Sequence, residues 1–248
     1  METHPSIDKA KAYFDLQLTR RPSERHVFAG PYITLSRESG TGGGALGEEI
    51  ARRLNRLHTV EEPVWTVFDR NLVARMLEDN HLSASLARFL PENKVSEIES
   101  SVNEIVGLHP NLWSLVHKTN SLMRRLAAMG NAIIVGRGSN LATAGSPHGL
   151  HLRLIGPAEQ RAQRTASILG LSYEQALAFN RKTDHARRDY VRSFFNAEID
   201  DPSSYDLIVN MEHFGTDTAA DMVVAIMRSR DWIELPEHTV HESAAAVV

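Results

Sequence analysis

Cysteine is absent from the 248-residue sequence. Disulfide bonds, thiolate metal ligands and cysteine nucleophiles are therefore excluded. No run of about 18 apolar residues occurs, and the first residues lack the apolar core of a signal peptide. We therefore expect a cytoplasmic protein with no membrane partner. The formal net charge of −4 gives no support for a nucleic-acid partner, because dedicated binders are usually basic.

Spacings typical of metal sites are also missing. The 12 histidines form no H-E-x-x-H pattern, and no other metal-ligand spacing is found. His148, His151 and His185 are interpreted as ordinary side chains. The sequence thus predicts no metal site built from histidine.

Short apolar runs alternate with helical patterns along the chain. The runs that predict strands are Tyr32–Leu35, Val64–Phe68, Ala132–Val135, Leu150–Ile155 and Tyr205–Val209. The patterns that predict helices are Leu46–Leu57, Asn71–Glu78, Leu112–Met129, Ala158–Leu169, Ser172–Phe195 and Thr218–Met227. This alternation predicts an α/β fold with a parallel sheet covered by helices on both faces.

The same pass along the chain predicts its organisation. Residues 1–30 are expected to form an N-terminal extension outside the core, and residues 233–248 a flexible tail. The segment between them, 31–232, is long enough for one domain with a sizeable core. Residues 79–130 lack strand signals and are expected to form a helical insertion.

A glycine-rich loop between the first strand and the first helix is the clearest functional signal. Ser39, Gly40, Thr41 and residues 42–44 (all glycine) would place their amides at a helix N-terminus, which favours phosphate binding. The alternative is a turn that only packs the helix on the strand. In a P-loop, G-x-x-x-x-G-K-[ST], Gly43 would stand at the lysine position and Gly44 at the hydroxyl position. Arg37 is the candidate to supply the missing positive charge.

Two further strand ends carry polar residues. Arg137 lies between Gly136 and Gly138, where a guanidinium can bind a phosphate with two parallel hydrogen bonds; the alternative is a surface arginine in a loop. Asp69 follows the second strand, directly before Arg70. It is interpreted as a helix N-cap, a catalytic residue, or both.

A basic cluster with carboxylates occupies the last third of the chain. Arg181, Asp184 and Arg188 step by three and four residues, so they share a helix face. The full cluster consists of Arg161, Arg164, Arg181, Lys182, Asp184, Arg187, Arg188, Asp189 and Arg192. It indicates either a site that neutralises a phosphoryl group or a solvated helix with ion pairs.

In combination, four stretches resemble the cytidylate kinase-like family, a divergent branch of the P-loop nucleoside monophosphate kinases. They are ITLSRESGTGG, FDRNLV, IIVGRGSNL, and the run from GPAEQRAQR through DHARRDYVRSFF to YDLIVN. The resemblance covers roughly residues 31–230. It implies a three-layer α/β/α P-loop fold with a helical acceptor-binding insertion, an Arg-rich lid over 158–195, and the cofactors ATP and Mg²⁺.

The resemblance also implies roles for individual residues. Arg37–Gly44 matches the donor-triphosphate loop, and Arg161 and Arg164 match the start of the lid. Asp184, Arg187 and Arg188 match the far side of the lid. Asp69 and Arg70 match the beginning of the acceptor site, and Arg137 matches an arginine that contacts the monophosphate.

Two departures from the family pattern bear on catalysis. Gly138 replaces the aspartate of Gly-Arg-Asp, and Gly44 removes the hydroxyl that would hold Mg²⁺. Phosphate oxygens, water and either Glu38 or Asp69 would then have to hold the metal.

The expected function is transfer of the ATP γ-phosphoryl group to a nucleoside monophosphate, with CMP as the first candidate. A nucleotide-binding regulatory or scaffold protein without turnover is one alternative, and a kinase for another small acceptor is a second. The sequence does not separate these three, and it leaves the oligomeric state open.

Overall fold

The structure is a computed structural model that describes residues 9–10, 12–14, 30–57, 65–69, 72, 110–136 and 138–233. Its strands are β1 (Tyr32–Arg37), β2 (Thr66–Phe68), β3 (Ala132–Val135), β4 (Gly149–Ile155) and β5 (Leu207–Asn210). Its helices are α1 (Gly43–Leu57), α2 (Pro110–Met129), α3 (Ser139–Ala142), α4 (Ala158–Leu169), α5 (Tyr173–Phe195) and α6 (Thr216–Ser229), with a 3₁₀ turn at Pro202–Ser204.

The strands form one parallel sheet in the order β2-β3-β1-β4-β5. β1 is the central strand, and its last residue, Arg37, is paired with Leu154 of β4. The predicted parallel α/β fold is confirmed. Because the carboxyl ends of parallel strands meet at one edge, the loop after β1 lies beside the end of β4.

Alternating residues of β1 serve the two faces of the sheet. Ile33 and Leu35 are fully buried in a cluster with helices α1 and α6. Tyr32 faces the other way, into a second cluster that includes Leu126 of α2 and Phe68 of β2. The alternation of side chains along the strand therefore places apolar residues on both faces of the sheet, as a three-layer arrangement requires.

The N-terminal segment contributes to this second cluster, so the prediction that residues 1–30 lie outside the core is wrong for the part that is described. Tyr13 and Phe14 are 0% and 1% exposed, and the rings of Tyr13 and Phe68 pack edge to face at 5.3 Å. The Tyr13 hydroxyl donates to the carbonyl oxygen of Gly130 at 2.5 Å. Two aromatic residues in a largely polar stretch of sequence are a weak signal of core packing, so the sequence did not reveal this contact.

Most predicted elements agree with the structure to within a few residues. α1 starts earlier than predicted, at Gly43, so the glycines belong partly to the helix. The short helix α3 was not predicted. The predicted helix 71–78, most of the insertion and the tail after residue 233 lie outside the described residues. Within the described part, no helix is long and apolar enough to cross a membrane.

Candidate functional site

The loop between β1 and α1 has the backbone shape that the glycines predict. Gly40 and Gly42 have φ angles of +83° and +84°, a region that disfavours residues with a Cβ. The carbonyl oxygen of Gly42 accepts the first turn's bond from Leu46 at 3.0 Å. Within the described part of the chain, the amides of Gly42, Gly43 and Gly44 donate to no protein acceptor. These amides at a helix N-terminus are available to an anion.

Three arginines of the helical hairpin α4–α5 donate hydrogen bonds to carbonyl oxygens at the start of this loop. Each binds one carbonyl oxygen through Nη1: Arg187 binds Arg37 at 2.9 Å, Arg161 binds Ser39 at 2.8 Å and Arg164 binds Gly40 at 3.2 Å. A trans peptide is planar, so a fixed carbonyl directs the following amide to the opposite side. The hairpin therefore fixes the direction of the amides of Glu38, Gly40 and Thr41, in the first part of the loop.

Asp184 joins the hairpin to the loop as well. Its side chain lies on α5 and is buried, and Oδ1 accepts the Ser39 amide at 2.7 Å. Oδ2 accepts a hydrogen bond from Arg161 Nη1, also at 2.7 Å. The Ser39 amide is thus occupied by a carboxylate, and the amides open to a ligand begin beyond it.

The arginines of the basic cluster have partners within the protein. The sequence left two interpretations open, a site that neutralises a phosphoryl group and a solvated helix with ion pairs. In the structure, Arg161, Arg164 and Arg187 bind loop carbonyls, and Arg188 Nε donates to Asp200 at 3.2 Å. Their number alone therefore does not indicate a lid, which stays a prediction.

Capping residues define where the two helices of the hairpin end and begin. Gly170 ends α4 with φ +64°, and Ser172 starts α5 with a capping box that includes Gln175. Between the helices, the Thr165 hydroxyl bonds Asn180 Oδ1 at 2.9 Å in a buried position. The two helices are thus fastened to each other as one unit.

Arg37 extends from the end of β1 across the start of α1. A Cβ added to Gly43 would lie 3.2 Å from Arg37 Cγ and 3.4 Å from Cδ. Beyond this, a Cβ at Gly136 would collide with the guanidinium nitrogen Nη1, and Gly136 has a φ of +89°. Both glycines therefore leave room for the arginine. The sequence did not reveal this use of the first glycine in Gly-Arg-Gly.

The presence of glycine at position 138 is explained by the ring of Phe195. It has φ +64°, and a Cβ there would lie 2.7 Å from Cε2 of Phe195. A larger residue would need both an unusual backbone and a shift of that ring. This is a physical reason for the departure from Gly-Arg-Asp. Arg137 and Arg70 lie outside the described residues, so their predicted roles remain predictions.

Asp69 makes the hydrogen bond that was predicted for a helix N-cap. Oδ1 accepts the amide of Leu72 at 2.8 Å, the contact expected of an N-cap. The N-cap interpretation is confirmed, and the role of Asp69 in an acceptor site stays a prediction.

A basic cavity of about 470 Å³ opens beside the hairpin. It is lined by Arg161, Arg181, Lys182, Asp184, His185 and Arg188. Arg181, Asp184 and Arg188, which the spacing placed on one helix face, do line one cavity. Several cations around such a space can accommodate phosphoryl oxygens.

The described residues near the loop do not form a metal site from protein side chains alone. Among the described residues, no group of three or more histidine, aspartate or glutamate side chains could hold an ion. Glu38 Oε2 accepts the Gly156 amide at 3.0 Å and lies 3.4 Å from Arg161, while Asp69 caps a helix. Both predicted ligands thus already have hydrogen-bond partners within the protein.

The parallel sheet, the glycine loop that opens α1 and the arginine-rich hairpin define an α/β P-loop kinase fold. Residues 32–213 match a model of the cytidylate kinase-like family, so the chain belongs to that family.

Individual relatives are more distant. A cytidylate kinase of Methanoculleus marisnigri is 32% identical over 98 residues, which are 40% of this chain and 53% of that protein. A cytidylate kinase of Thermococcus kodakarensis is 26% identical over 160 residues, or 64% of this chain and 80% of that protein. The chain therefore matches about half the length of the first relative and most of the second.

A solved structure is also similar. An uncharacterized protein from Eubacterium ventriosum superposes with a TM-score of 0.61 at 19% identity, over 81% of this chain and 99% of that one. At this identity the similarity concerns the fold alone.

Proposed function

We propose that this protein transfers the γ-phosphoryl group of ATP to a nucleoside monophosphate, with CMP as the first candidate acceptor. The observation that carries the proposal is the presence of open amides at Gly42–Gly44 with the side chains of Arg37 and Arg164 close by, in a chain of this family. A phosphate oxygen of the acceptor attacks the γ-phosphorus, and ADP leaves. Such transfer needs positioning and charge neutralisation more than a protein nucleophile.

The donor would lie on the glycine loop. The amides of Gly42, Gly43 and Gly44 would bind its phosphates, with support from the N-terminus of α1. Arg161 and Arg164 hold the carbonyl oxygens of Ser39 and Gly40, and so brace the part of the loop that precedes those amides. Arg37 would meet the charge that develops on the transferred group, at the place where a lysine is missing.

The acceptor would lie between the second and third strand ends and the hairpin. Asp69, Arg70 and Arg137 would bind the nucleoside monophosphate, since in sequence they follow β2 and β3, and β3 is a neighbour of β1 in the sheet. Arg187 and Arg188 would neutralise phosphoryl oxygens during transfer, and Asp184 would hold the hairpin in place. CMP is chosen because both named relatives are cytidylate kinases.

One observation favours a second candidate, a nucleotide-binding regulatory or scaffold protein. Gly43 and Gly44 replace the lysine and hydroxyl of a P-loop, and the described residues hold no ready metal site. Such a protein would bind ATP and show no turnover. A kinase for another small acceptor is the remaining alternative.

A coupled ADP-release assay separates these candidates. Purified protein would be tested with ATP and Mg²⁺, first alone and then with each nucleoside monophosphate and a panel of small hydroxyl compounds. We expect release that depends on a nucleoside monophosphate and is greatest with CMP. Release only with a hydroxyl compound would redirect the assignment, and ATP binding without any acceptor-dependent release would support the scaffold candidate.

A further inference from the structure

One carboxylate, that of Asp200, connects two arginines in different surroundings. Its Oδ1 accepts a hydrogen bond from Arg153 Nη2 at 2.6 Å, and Oδ2 accepts one from Arg188 Nε at 3.2 Å. The side chain of Arg153 is 4% exposed, whereas that of Arg188 is 42% exposed. Asp200 thus links the interior of the sheet to the edge of the basic cavity.

The inner arginine is held firmly. Arg153 is the charged residue in the otherwise apolar end of β4, and Nη1 donates to Ser36 Oγ at 3.0 Å. The Tyr205 hydroxyl lies 3.2 Å from the same Oγ and donates to the carbonyl oxygen of Ile199 at 2.7 Å. A buried cation requires an anionic partner, and among the described residues Asp200 is the carboxylate that pairs with Arg153. The place of Asp200 is therefore set from inside the sheet.

Arg188, the outer arginine, engages only one of its guanidinium nitrogens in a hydrogen bond with the described residues. Nε of Arg188 bonds Asp200, and within the described residues Nη1 and Nη2 donate to no protein acceptor. Arg192, one helical turn further on, differs: both Nε and Nη2 bind Glu198, at 3.1 and 3.0 Å. Arg188 lines the basic cavity and Arg192 does not. Asp200 thus holds one edge of Arg188 and leaves two nitrogens for an anion.

We propose that Asp200 is a positioning residue, which aims Arg188 at a phosphoryl group in the basic cavity while Arg153 holds Asp200 in place. A guanidinium fixed before binding loses less side-chain entropy when it meets its ligand. The identity of the anion as a nucleotide phosphate rests on the proposed function, but the positioning of Arg188 does not.

Inorganic tripolyphosphate is the probe for this role, measured by isothermal titration calorimetry. Asp200→Asn should weaken its binding by about 3- to 10-fold, and Arg188→Ala by about 10-fold or more, since a charge-assisted contact is lost. The double variant should bind no more weakly than Arg188→Ala alone. Glu198→Gln, which frees Arg192 on the same helix, is the matched control and should leave binding unchanged.

The sign of the Asp200→Asn effect is decisive. If Asp200 acted only through its charge, its removal beside several cations would strengthen anion binding, and such a gain would overturn the proposal. A loss that persists in full on the Arg188→Ala background would also overturn it, because Asp200 would then not act through Arg188. Absence of tripolyphosphate binding to the wild type would do the same.

A ligand-free measurement covers the case in which Asp200→Asn does not fold. The Nε–H signal of Arg188, assigned by its loss in Arg188→Ala, should persist against solvent exchange in ¹H–¹⁵N spectra of the wild type. Rapid exchange of that proton would contradict the bond to Asp200. Turnover decides the proposed function separately: tripolyphosphate binding with the expected variant pattern but no turnover would reject the kinase and retain the positioning role.

Discussion

The side chain of Arg37 lies directly over Gly43, the first residue of α1. A Cβ at Gly43 would lie 3.2 Å from Arg37 Cγ, closer than ordinary van der Waals contact. Gly43 stands where a P-loop has its lysine. The arginine stem therefore lies against the space into which that lysine side chain would begin, so any side chain at position 43 requires the stem to shift.

Replacement of Arg37 tests whether it substitutes for the lysine. Arg37→Ala should lower kcat by about 100-fold, equivalent to about 2.7 kcal/mol of transition-state stabilisation. Arg37→Lys should recover only part, because an ammonium lacks the planar fork of a guanidinium. Steady-state ADP release measures both, with the exposed Arg52→Ala of α1 as the control. A kcat within a few-fold of wild type, together with a lower melting temperature, would mean that Arg37 only shapes the loop.

Because the side chain of Arg37 lies against Gly43, we expect substitutions at these two positions to have non-additive effects on the free energy of unfolding. Gly43→Ala should destabilise the wild type by about 1 to 3 kcal/mol, as overpacking commonly does. In an Arg37→Ala background the contacts with Cγ and Cδ are gone and the remaining Cβ lies 3.5 Å from the added methyl group, at ordinary van der Waals distance, so the same change should cost much less. Denaturant unfolding of the four proteins gives the coupling free energy. Equal destabilisation in both backgrounds would show that the arginine stem does not fill this space.

The positive φ of Gly42 makes it the sharpest test of the phosphate loop. Gly42→Val should abolish ATP binding in calorimetry while far-UV circular dichroism stays intact, because the strained backbone moves the neighbouring amides. Gly170→Val is the matched control: φ is also positive, at +64°, and no atom lies within 4 Å of its added Cβ. The control should keep its ATP affinity. Unchanged affinity in a folded Gly42→Val protein would reject the phosphate-loop assignment.

Residues 158–195 are expected to respond to ligands as one unit, because Thr165 and Asn180 fasten the two helices together. Hydrogen exchange should show stronger protection of this segment with ATP and CMP than without ligands. Helix α6, which packs on α1 rather than on the hairpin, should not change. Equal protection with and without nucleotides would mean that the hairpin is a fixed part of the site and not a lid.

His151 predicts a pH dependence of stability. Burial lowers its pKa, opposed by the nearby Asp206, and Nδ1 lies 2.8 Å from the Thr34 hydroxyl. The unfolded state then binds a proton more readily, so stability falls as pH decreases below about 6.5. His151→Gln should flatten the decline of the unfolding free energy between about pH 7 and pH 5. An unchanged pH profile would show that His151 titrates alike in both states.

The strands and the glycine loop could be predicted because their signals are local. Ala132–Val135 and Ala158–Leu169 have the bounds that the sequence predicts, since a β-branched run and an amphipathic period each lie within one segment. The position of Arg37 just before the loop is also local information, and the structure places it at the end of β1. Trp65 and Phe68 belong to the predicted second strand, and both are buried.

The contacts that orient the loop could not be predicted, because they join distant parts of the chain. The bond from Arg187 to the carbonyl of Arg37 spans 150 residues, and that from Arg161 to Ser39 spans 122. No spacing rule reports such a pair. Arg153 did leave a signal, a single cation within the apolar run LHLRLI. A charged side chain in a buried strand needs a partner of opposite charge, but no sequence pattern identifies Asp200 as that partner.

Direct detection of the product tests the central claim, that this chain is a nucleoside monophosphate kinase which uses arginine where a lysine is missing. ATP, Mg²⁺ and CMP would be incubated with the purified protein and followed by ³¹P NMR, with Arg37→Ala in parallel. We predict that the phosphorus signals of CDP grow in with the wild type as the γ-phosphorus signal of ATP declines, and that the variant is about 100-fold slower. Saturating ATP binding with no phosphorylated acceptor from CMP or any other nucleoside monophosphate would contradict the claim.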